Sequence, residues 1–393
     1  MNAVYDHIIA ILVVGMIFVG AVVILPTMSF VNLQAVDQQQ LRNTALNVFN
    51  AMLLDTGEPA NWGSISNGTY YFSADGVERV GLAKTGDSAF YLLDPDKVQR
   101  LDETNPLGFL SYEEMRALLG LQSYGFSLRI IPPFNVTNVN GTKIDEDHSP
   151  INETALDQKT LQYAVRVSYL DGRPIPNATI QATAVYTDKK DFAMTPPHVT
   201  TTNAVGIGSD IIPLYFEPWH ITVILRVSVA DVATIVVTFG KNPIKIIDIN
   251  MVGDNVILTR PKDAPNADVK LNSIYFLESG GALNSLYNGT SQDHFNTGEG
   301  QHCLWNNTFS GLQDYDPVIL IFNIETVPPK NETEHPGNQE IAVAGPYQNL
   351  LGYTVFEYGG SPKSSGAAVR IQRSVIISGM TYTVELTLWK ESL

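Results

Sequence analysis

The residue types that could hold a metal ion come closest together between positions 294 and 303. His294, His302 and Cys303 carry the imidazole and thiol groups that zinc prefers. A zinc site also needs a third or fourth ligand at a recognisable spacing, and none is evident nearby. A loop histidine and a small buried thiol explain these residues more simply, so we predict no metal site here.

Two acidic segments are the next candidates for binding a cation. Asp314 and Asp316 form an Asp-x-Asp-Pro sequence, which suits either a Ca²⁺-binding loop or an ordinary turn. The run from Asp145 to His148 places four residues side by side. Adjacent residues cannot all point at one ion, and the run lacks EF-hand spacing. We therefore expect both segments to be solvated surface.

The sequence holds none of the specific catalytic or nucleotide-binding motifs. It lacks a G-x-S-x-G elbow, an H-E-x-x-H helix, a P-loop, a G-x-G-x-x-G turn and a paired C-x-x-C. A glycosidase would need two carboxylates about 5–10 Å apart. With 40 acidic residues in the chain, the sequence leaves such a pair open. We predict no catalytic residue and no cofactor.

Aromatic side chains offer one other kind of site, a flat surface on which a sugar stacks. The four tryptophans are Trp62, Trp219, Trp305 and Trp389. Single tryptophans beside strands are more often part of a core. We expect core positions for them, with Trp219 and Trp305 the two to examine for exposure.

Composition limits what the elements around these residues can be. The chain has 393 residues, which is two to three domains' worth at about 150 residues each. Forty acidic against 24 basic residues give a net charge of −16, which repels phosphate backbones and argues against nucleic acid as a partner. The lone cysteine, Cys303, cannot form an intrachain disulfide.

The N-terminal segment predicts a membrane anchor. Every residue from Ile8 to Leu25 is apolar or glycine, and no charged residue occurs from Ile8 through Val36. Since about 20 apolar residues cross a bilayer as a helix, residues 8–30 can span one. The alternatives are a cleaved signal peptide and a buried core helix. The first seven residues contain Asp6 and no Lys or Arg, which disfavours a signal peptide.

Glycosylation sequons suggest which side of the membrane the bulk of the chain occupies. All eight are of the Asn-x-Thr form, and they occur at Asn67, Asn135, Asn140, Asn152, Asn177, Asn288, Asn306 and Asn331. The alternative is a coincidence of an Asn- and Thr-rich composition. We expect a single-pass protein of the cell membrane with a short cytoplasmic N-terminus and a glycosylated extracellular bulk.

The apolar helix continues into an amphipathic stalk. Apolar residues recur at three- and four-residue steps, at Leu41, Ala45, Val48, Phe49, Met52 and Leu53. Gly57 and Pro59 then supply stop signals. The pattern predicts one helix from about Ile8 to Asp55, so that residues 1–57 form anchor and stalk.

Residues 58–131 read as a small α+β unit. Asp94-Pro95 opens a short helix, and Ser111 with Glu114 forms a capping box for a second one. A strand at 125–131 follows. Residues 132–158, with three sequons and two consecutive prolines, read as a glycosylated linker.

The rest of the chain predicts sheets. Apolar residues alternate along 161–169 and 180–186, with a turn at Asp171-Gly172 between them. Residues 159–242 therefore predict an antiparallel β-sandwich, and 243–393 a second all-β domain. The fold class is mainly β, with a long N-terminal helix.

Two parts of the sequence resemble known families. After the apolar helix come the segments 53–63 (LLDTGEPANWG), 81–83, 94–98, 112–121 and 126–130. Together they resemble archaeal type IV pilin-like, membrane-anchored surface proteins, over about a third of the chain. Residues 172–180 (GRPIPNATI) and 201–206 (TTNAVG) are similar to the paired turns of Ig-like or carboxypeptidase-regulatory-like sandwiches, which implies a spacer or adhesion module.

One departure from the pilin pattern affects the functional expectation. No basic residue followed by a small one precedes the apolar run, so the peptidase site that releases pilins is missing. We expect an anchored, pilin-like surface protein with a structural, adhesion or assembly role. Its partners would be the bilayer, through residues 8–30, and other surface proteins or itself. The alternatives are a type IV pilus-like filament subunit and a membrane-tethered hydrolase with an Ig-like spacer.

Overall fold

The structure is a computed structural model of the chain. It describes residues 2–64, 72–86, 91–144, 149–188, 190–240, 247–259, 268–278, 280–290, 294–296, 303–315, 318–327, 338–345, 355–362 and 367–391. Within the first helix, side chains are described at 11–19 and 37–54.

The described chain is mainly β. Its helices are α1 (Asn2–Leu54), α2 (Pro95–Gln99), α3 (Tyr112–Leu118) and α4 (Glu153–Leu156). Its first ten strands are β1 (Leu92–Leu93), β2 (Tyr124–Ile131), β3 (Asn135–Asn138), β4 (Thr160–Ser168), β5 (Thr179–Thr187), β6 (Phe192–Met194), β7 (His198–Thr201), β8 (Ile207–Pro213), β9 (His220–Val229) and β10 (Val232–Phe239). The remaining strands are β11 (Asp248–Val252), β12 (Asn255–Thr259), β13 (Asp268–Leu277), β14 (Leu283–Asn288), β15 (His294–Asn296), β16 (Cys303–Thr308), β17 (Leu320–Val327), β18 (Asn338–Ala344), β19 (Phe356–Gly359), β20 (Ala368–Ile377) and β21 (Met380–Lys390).

The second half of α1 packs on a sheet that we call the head sheet, with strand order β1-β20-β21-β2-β19. The predicted apolar stripe faces this sheet, and its members are buried: Leu41, Ala45, Val48, Phe49, Met52 and Leu53. Gly125 on β2 leaves room for Trp389 on β21, because a Cβ at Gly125 would come within 2.4 Å of the indole ring. The head therefore combines residues 37–131 with residues 355–391.

The local signals predicted in the head are confirmed. Asp94 caps α2 through its side chain, and Pro95 is the first residue of that helix. In the capping box of α3, Ser111 N donates to Glu114 Oε2 at 2.8 Å, and Glu114 N donates to Ser111 Oγ at 3.4 Å. Gly120 follows α3 with a φ of +66°, the left-handed conformation in which glycine ends helices.

The strands that complete the head differ from the predicted division of the chain. β2 pairs antiparallel with β21, with Leu128 opposite Leu386, and β19 pairs with the other side of β2, with Phe356 opposite Ile130. The last three strands, predicted within a unit spanning 243–393, therefore lie in the same sheet as the 58–131 segment. Residues 132–354 form an insertion between two neighbouring strands of the head.

The first inserted unit, residues 132–240, consists of two antiparallel sheets packed face to face. The small sheet has the order β3-β4-β8, and the large sheet has the order β10-β9-β5-β6, with β7 also pairing β5. The predicted turns hold glycines at positive φ, Gly172 at +86° and Gly206 at +76°. The segment predicted as a linker contains β3 and α4, because Phe134, Val136 and Leu156 are buried in this core.

The second inserted unit, residues 247–345, repeats the arrangement of a small and a large sheet. The small sheet has the order β11-β12-β16, and the large sheet has the order β14-β13-β17-β18, with β15 also pairing β13. Alternate residues of β12, β13 and β17 fill the core between the two sheets, among them Leu258, Phe276 and Phe322.

The large sheets of the two inserted units share an apolar interface. Val185 and Ile224 on the first unit belong to the same buried cluster as Ile321 and Ile341 on the second, and this cluster continues into the head. β5 and β9 are consequently buried on both faces, as their nearly continuous apolar sequences allow. The units pack together rather than following one another as separate modules.

The insertion makes a prediction about the head alone. We expect a chain of residues 37–391, with 133–354 replaced by a two- to four-residue Asn-Gly turn, to fold. Phe356 already lies beside Ile130 in an antiparallel pair, which is the geometry that a short hairpin turn joins. A cooperative thermal transition, measured by circular dichroism, is the expected result.

The matched control is residues 37–131 alone. This fragment lacks β19, β20 and β21, so the apolar stripe of α1 has little sheet to cover it, and we expect it not to fold. If the fragment folded as well as the spliced head, the C-terminal strands would not be needed to complete the unit.

Candidate functional site

The most unusual surface of the protein is the first half of α1. Residues 11–19 are all apolar or glycine and all exposed, with large side chains between 50% (Val13) and 73% (Met16) accessible. Nine consecutive helical positions point in every direction around the axis, so this segment is exposed on every side with respect to the described residues. A helix that is apolar all round is normally buried in a protein core or in a membrane.

The membrane span predicted at 8–30 falls largely on side chains outside the described residues. Among the helices whose side chains the structure describes, none is both long enough and apolar enough to cross a membrane.

The second half of α1 is different, because its exposed positions are polar. Residues 37–40, an aspartate and three glutamines, are exposed, and Asp37 Oδ1 accepts a hydrogen bond from Lys390 Nζ at 3.1 Å. This ion pair lies at the end of the helix's contact with the head, just before the first buried residue, Leu41. The helix thus changes from apolar all round to amphipathic where the head begins.

A cavity of about 180 Å³ lies where the head meets the second inserted unit. The head contributes polar groups to its wall, including Asp94, Asp96 and Gln99. The second unit contributes Met251, Gly253, Leu312, Gln313, Tyr315 and Val318. Both carboxylates among the described lining residues therefore come from the head.

Asp96 connects the head to the second inserted unit, and we call this contact between the two units the first joint. Asp96 Oδ2 accepts hydrogen bonds from Gly253 N at 2.8 Å and from Gln313 Nε2 at 3.0 Å, both on the second unit. Gln99 Nε2 lies between the Asp96 Oδ1 atom, at 3.1 Å, and the Met251 carbonyl, at 3.0 Å. Burial, and to a lesser degree the charge of Asp94, raise the pKa of Asp96 to about 7, although the Gly253 hydrogen bond favours the carboxylate. The arrangement suits holding the two units together.

The neighbouring charges are also held inside the head. Lys97 is fully buried, and its Nζ donates to the Ala83 carbonyl at 2.7 Å and lies 3.5 Å from Asp94 Oδ2. Burial raises the pKa of Asp94 and lowers the pKa of Lys97, while their mutual attraction opposes both shifts. Lys97 therefore serves as a structural ion-pair partner of the Asp94 carboxylate.

A second polar joint lies between the two inserted units, along the outer strand β18. His220 Nδ1 accepts a hydrogen bond from Ile341 N at 3.1 Å, and Thr187 Oγ1 donates to the Gln339 carbonyl at 3.0 Å. Thr187 and His220 are opposite each other at the ends of β5 and β9. Burial lowers the pKa of His220 to about 4, which keeps the imidazole neutral and able to accept. The side chains of Thr187 and His220 thus form hydrogen bonds with backbone groups of β18.

Glu340, in the same strand, is buried without a matching donor. Its side-chain Oε2 atom has no hydrogen-bond partner among the described residues, and the residue is 7% exposed. Burial raises the pKa of Glu340 to about 7. Because an unpaired carboxylate is costly inside a protein, this residue makes the joint sensitive to pH.

The predicted metal candidates are only partly described. His302 and Asp316 lie outside the described residues, as do Asp145 to His148, and only the backbone of His294, Cys303 and Asp314 is described. His294 lies on β15 and Cys303 on β16. Within the described part of the chain, no three His, Cys, Asp or Glu residues come together in a group that could hold a metal.

The tryptophans are not arranged as an open sugar-binding platform. Trp62 and Trp389 are buried, and Trp62 Nε1 donates to the Gly81 carbonyl at 2.8 Å. Trp219 and Trp305 are half-buried, and the Trp305 ring lies 5.6 Å from the ring of Tyr287. Packing on neighbouring side chains accounts for these positions.

Most of the sequons in the described chain are accessible. Five acceptor asparagines are exposed, namely Asn140, Asn152, Asn177, Asn288 and Asn306. Asn135 is half-buried, and Asn67 and Asn331 lie outside the described residues. Five of these asparagines are therefore accessible to a glycosyltransferase.

No known protein family and no curated protein matches the sequence. Among solved structures, trypsin-activated alpha-2-macroglobulin from Escherichia coli is 13% identical, over 55% of this chain and 18% of that one, with a TM-score of 0.18. The Salmonella alpha-2-macroglobulin mutant Y1175G is 12% identical, over 55% and 16%, also at 0.18. A tetra-tandem repeat from the extending region of a large adhesion protein is 10% identical, over 67% and 75%, at 0.18.

The chain spans about a fifth of the length of the macroglobulins. At these TM-scores the likenesses carry no argument about the fold or the function of this protein.

The geometry around Asp96 predicts a loss of stability on truncation. Asp96→Ala would leave the half-buried donors of Gly253 and Gln313 without their acceptor, and a loss of about 1–3 kcal/mol in total is expected. The free energy of unfolding, measured by urea denaturation, should fall by this order. Glu78→Ala, at an exposed position of the head, is the control and should change it little. Equal effects would mean that Asp96 does not fasten the first joint.

The burial of Glu340 predicts that the free energy of unfolding depends on pH. Its pKa rises from 4.5 to about 7 on folding, so the stability it contributes is complete below pH 4.5 and is lost as the pH rises through 7. Glu340→Gln removes this loss, which is worth about 3 kcal/mol at pH 8. Urea denaturation at pH 5 and pH 8 should show that the variant gains over the wild type mainly at pH 8. Glu78→Gln should gain at neither pH, and a Glu340→Gln gain independent of pH would contradict the assignment.

Proposed function

We propose that this protein is a membrane-anchored, outward-facing, glycosylated and pilin-like surface protein with a structural or adhesive role. The observation that carries the proposal is the exposed apolar segment of α1, residues 11–19. Water is a poor environment for a helix that is apolar on every side, whereas lipid is a good one. The segment lies inside the uninterrupted apolar run from Ile8 to Leu25, whose length fits a bilayer.

The amphipathic half of α1 supports the same proposal. It joins the anchor directly to the core of the head, through buried side chains such as Phe49 and Met52. A single continuous helix, α1, therefore connects the lipid-facing segment to the folded part of the chain. The exposed sequons are consistent with an extracellular bulk.

The packed β units favour a structural role over catalysis. The described cavity draws both of its carboxylates, Asp94 and Asp96, from the head, and they are engaged in hydrogen bonds and an ion pair. The hydrolase hypothesis expects converging acidic or histidine side chains within 243–393. Among the described side chains, the cavity takes amide, hydroxyl, aromatic and apolar groups from that region. We therefore propose that the inserted units present surfaces to other surface proteins or to further copies of the chain.

The second candidate is a filament subunit. The same exposed helix segment would be equally satisfied by the helices of neighbouring copies in a polymer core. Mass spectrometry of the native N-terminus separates the two. Met1 retained in the membrane fraction supports a permanent anchor, whereas a shortened N-terminus in sheared filaments supports a subunit.

The anchor itself makes a prediction about membrane binding. The full chain should float with phospholipid vesicles in a density gradient. The double variant Val14→Lys and Ile17→Lys should not float, because each lysine at the centre of a membrane helix costs about 2.5–3.5 kcal/mol.

The matched control is Gln38→Lys, which adds a charge at an exposed position outside the apolar run. It should float like the wild type. If the double lysine variant also floated fully, membrane binding would reside elsewhere in the chain, and the proposed anchor would be wrong.

A further inference from the structure

Three of the six sequon asparagines that the structure describes lie within strands, and all three occupy outer strands. We define an outer strand as one at the end of the described strand order of its sheet. Asn135 is the first residue of β3, Asn288 is the last residue of β14, and Asn306 lies within β16. These strands are the ends of the small sheet of the first unit and of the large and small sheets of the second unit.

The opposite outer strand of each of these sheets is covered by the protein itself. β8 lies against β7, where Thr200 Oγ1 donates to the Ser209 carbonyl at 3.4 Å. β18 is covered by Thr187 and His220, and β11 packs beside β18. Three of the four described sheets of the inserted units therefore have one outer strand protected by packing and another that carries a sequon.

The outer strands β14 and β16 are accessible at their sequons, whereas Asn135 on β3 is half-buried. Asn288 and Asn306 are exposed, and most of β14 is exposed or half-buried. The turn after β3 folds back on the end of that strand, with Asn138 N donating to the Thr142 carbonyl at 2.9 Å. This contact lies at the far end of β3 from Asn135.

An accessible outer strand is a template for pairing with a strand of another molecule. Natural proteins blunt such strands with charges, prolines, bulges or covering segments. An N-linked oligosaccharide is bulky and solubilising, so one attached to an outer strand would prevent a second strand from approaching closely enough to form backbone hydrogen bonds.

We propose that N-linked oligosaccharides at Asn135, Asn288 and Asn306 act as edge guards, which prevent the inserted sheets from pairing with those of a second copy of the chain. This inference rests on the proposed function, since it requires a glycosylated surface protein. It also assigns different roles to the sequons. Oligosaccharides on outer strands block association, whereas those in turns do not.

The test uses the full glycosylated chain in detergent micelles. The triple variant Asn135→Gln, Asn288→Gln and Asn306→Gln removes the three acceptors. The control variant Asn140→Gln removes an exposed acceptor in the turn after β3. We expect sedimentation velocity to show that the triple variant associates as its concentration rises, to about twice the mass of the wild type, while the control stays with the wild type. Hydrogen exchange should show new protection of β14 and β16 amides in the associated form.

A parallel experiment needs no substitution. Enzymatic removal of the glycans from the folded wild-type protein should produce the same association, which keeps the proposal testable if the triple variant folds poorly. Association of the Asn140→Gln control to the same extent would show that glycans act only through general solubility, and would overturn the proposal.

The remaining outcomes separate this inference from the proposed function. Peptide mass spectrometry that finds all sequons of the native protein unoccupied would overturn both. Occupied sequons, with a triple variant and a deglycosylated protein that remain unassociated, would overturn the edge guards and leave the anchored surface protein intact.

Discussion

The pairing of β2 with β21 is the constraint on which the rest of the structure depends. It joins residues about 260 positions apart, such as Leu128 and Leu386, and it places the C-terminal strands over the apolar stripe of α1. Without it, Phe49 and Met52 on the helix would have little sheet to cover them. Because β19 continues the same sheet on the other side of β2, the whole segment between β2 and β19 must leave the head and return to it.

This closure determines how the inserted units are held. Both ends of the insertion are fixed at neighbouring strands, and the units also pack on each other and on the head through one continuous apolar cluster. The Phe192 and Tyr275 rings stack across the two units, with centroids 5.0 Å apart and planes 5° apart. The helix α1, the head and the inserted units are thus connected by continuous packing.

Polar groups at the joints add specificity to this apolar packing. Asp96, His220 and Glu340 are all buried where units meet, and burial of such groups contributes little net stability even when they are well paired. The hydrogen bonds of Asp96 and His220 do fix which backbone atoms lie opposite one another, as with Gly253 N and Ile341 N. Apolar contact alone would tolerate sliding between the sheets, whereas a misplaced buried carboxylate would be costly.

The sequence by itself determined the features that depend on neighbouring residues. The capping box of Ser111 and Glu114, the proline start of α2 and the turn at Gly172 are confirmed by the structure, because each is decided by side chains a few positions apart. The alternating segments at 161–169 and 180–186 occur as β4 and β5, since strict periodicity reports local conformation directly. The predominance of β structure followed from the same patterns.

Only the tertiary structure decided the partnerships. Periodicity shows that one face of a strand is buried but not what covers it, so the distant pairing of β2 with β21 and the burial of β5 on both faces could not be read from the pattern. The predicted linker joined a core for the same reason, since Val136 and Leu156 found partners on distant strands. The role of Asp96 could not be read from the sequence, because the two groups that donate to its carboxylate across the joint belong to residues more than 150 positions away. Local sequence determines conformation, whereas long-range packing determines which residues meet.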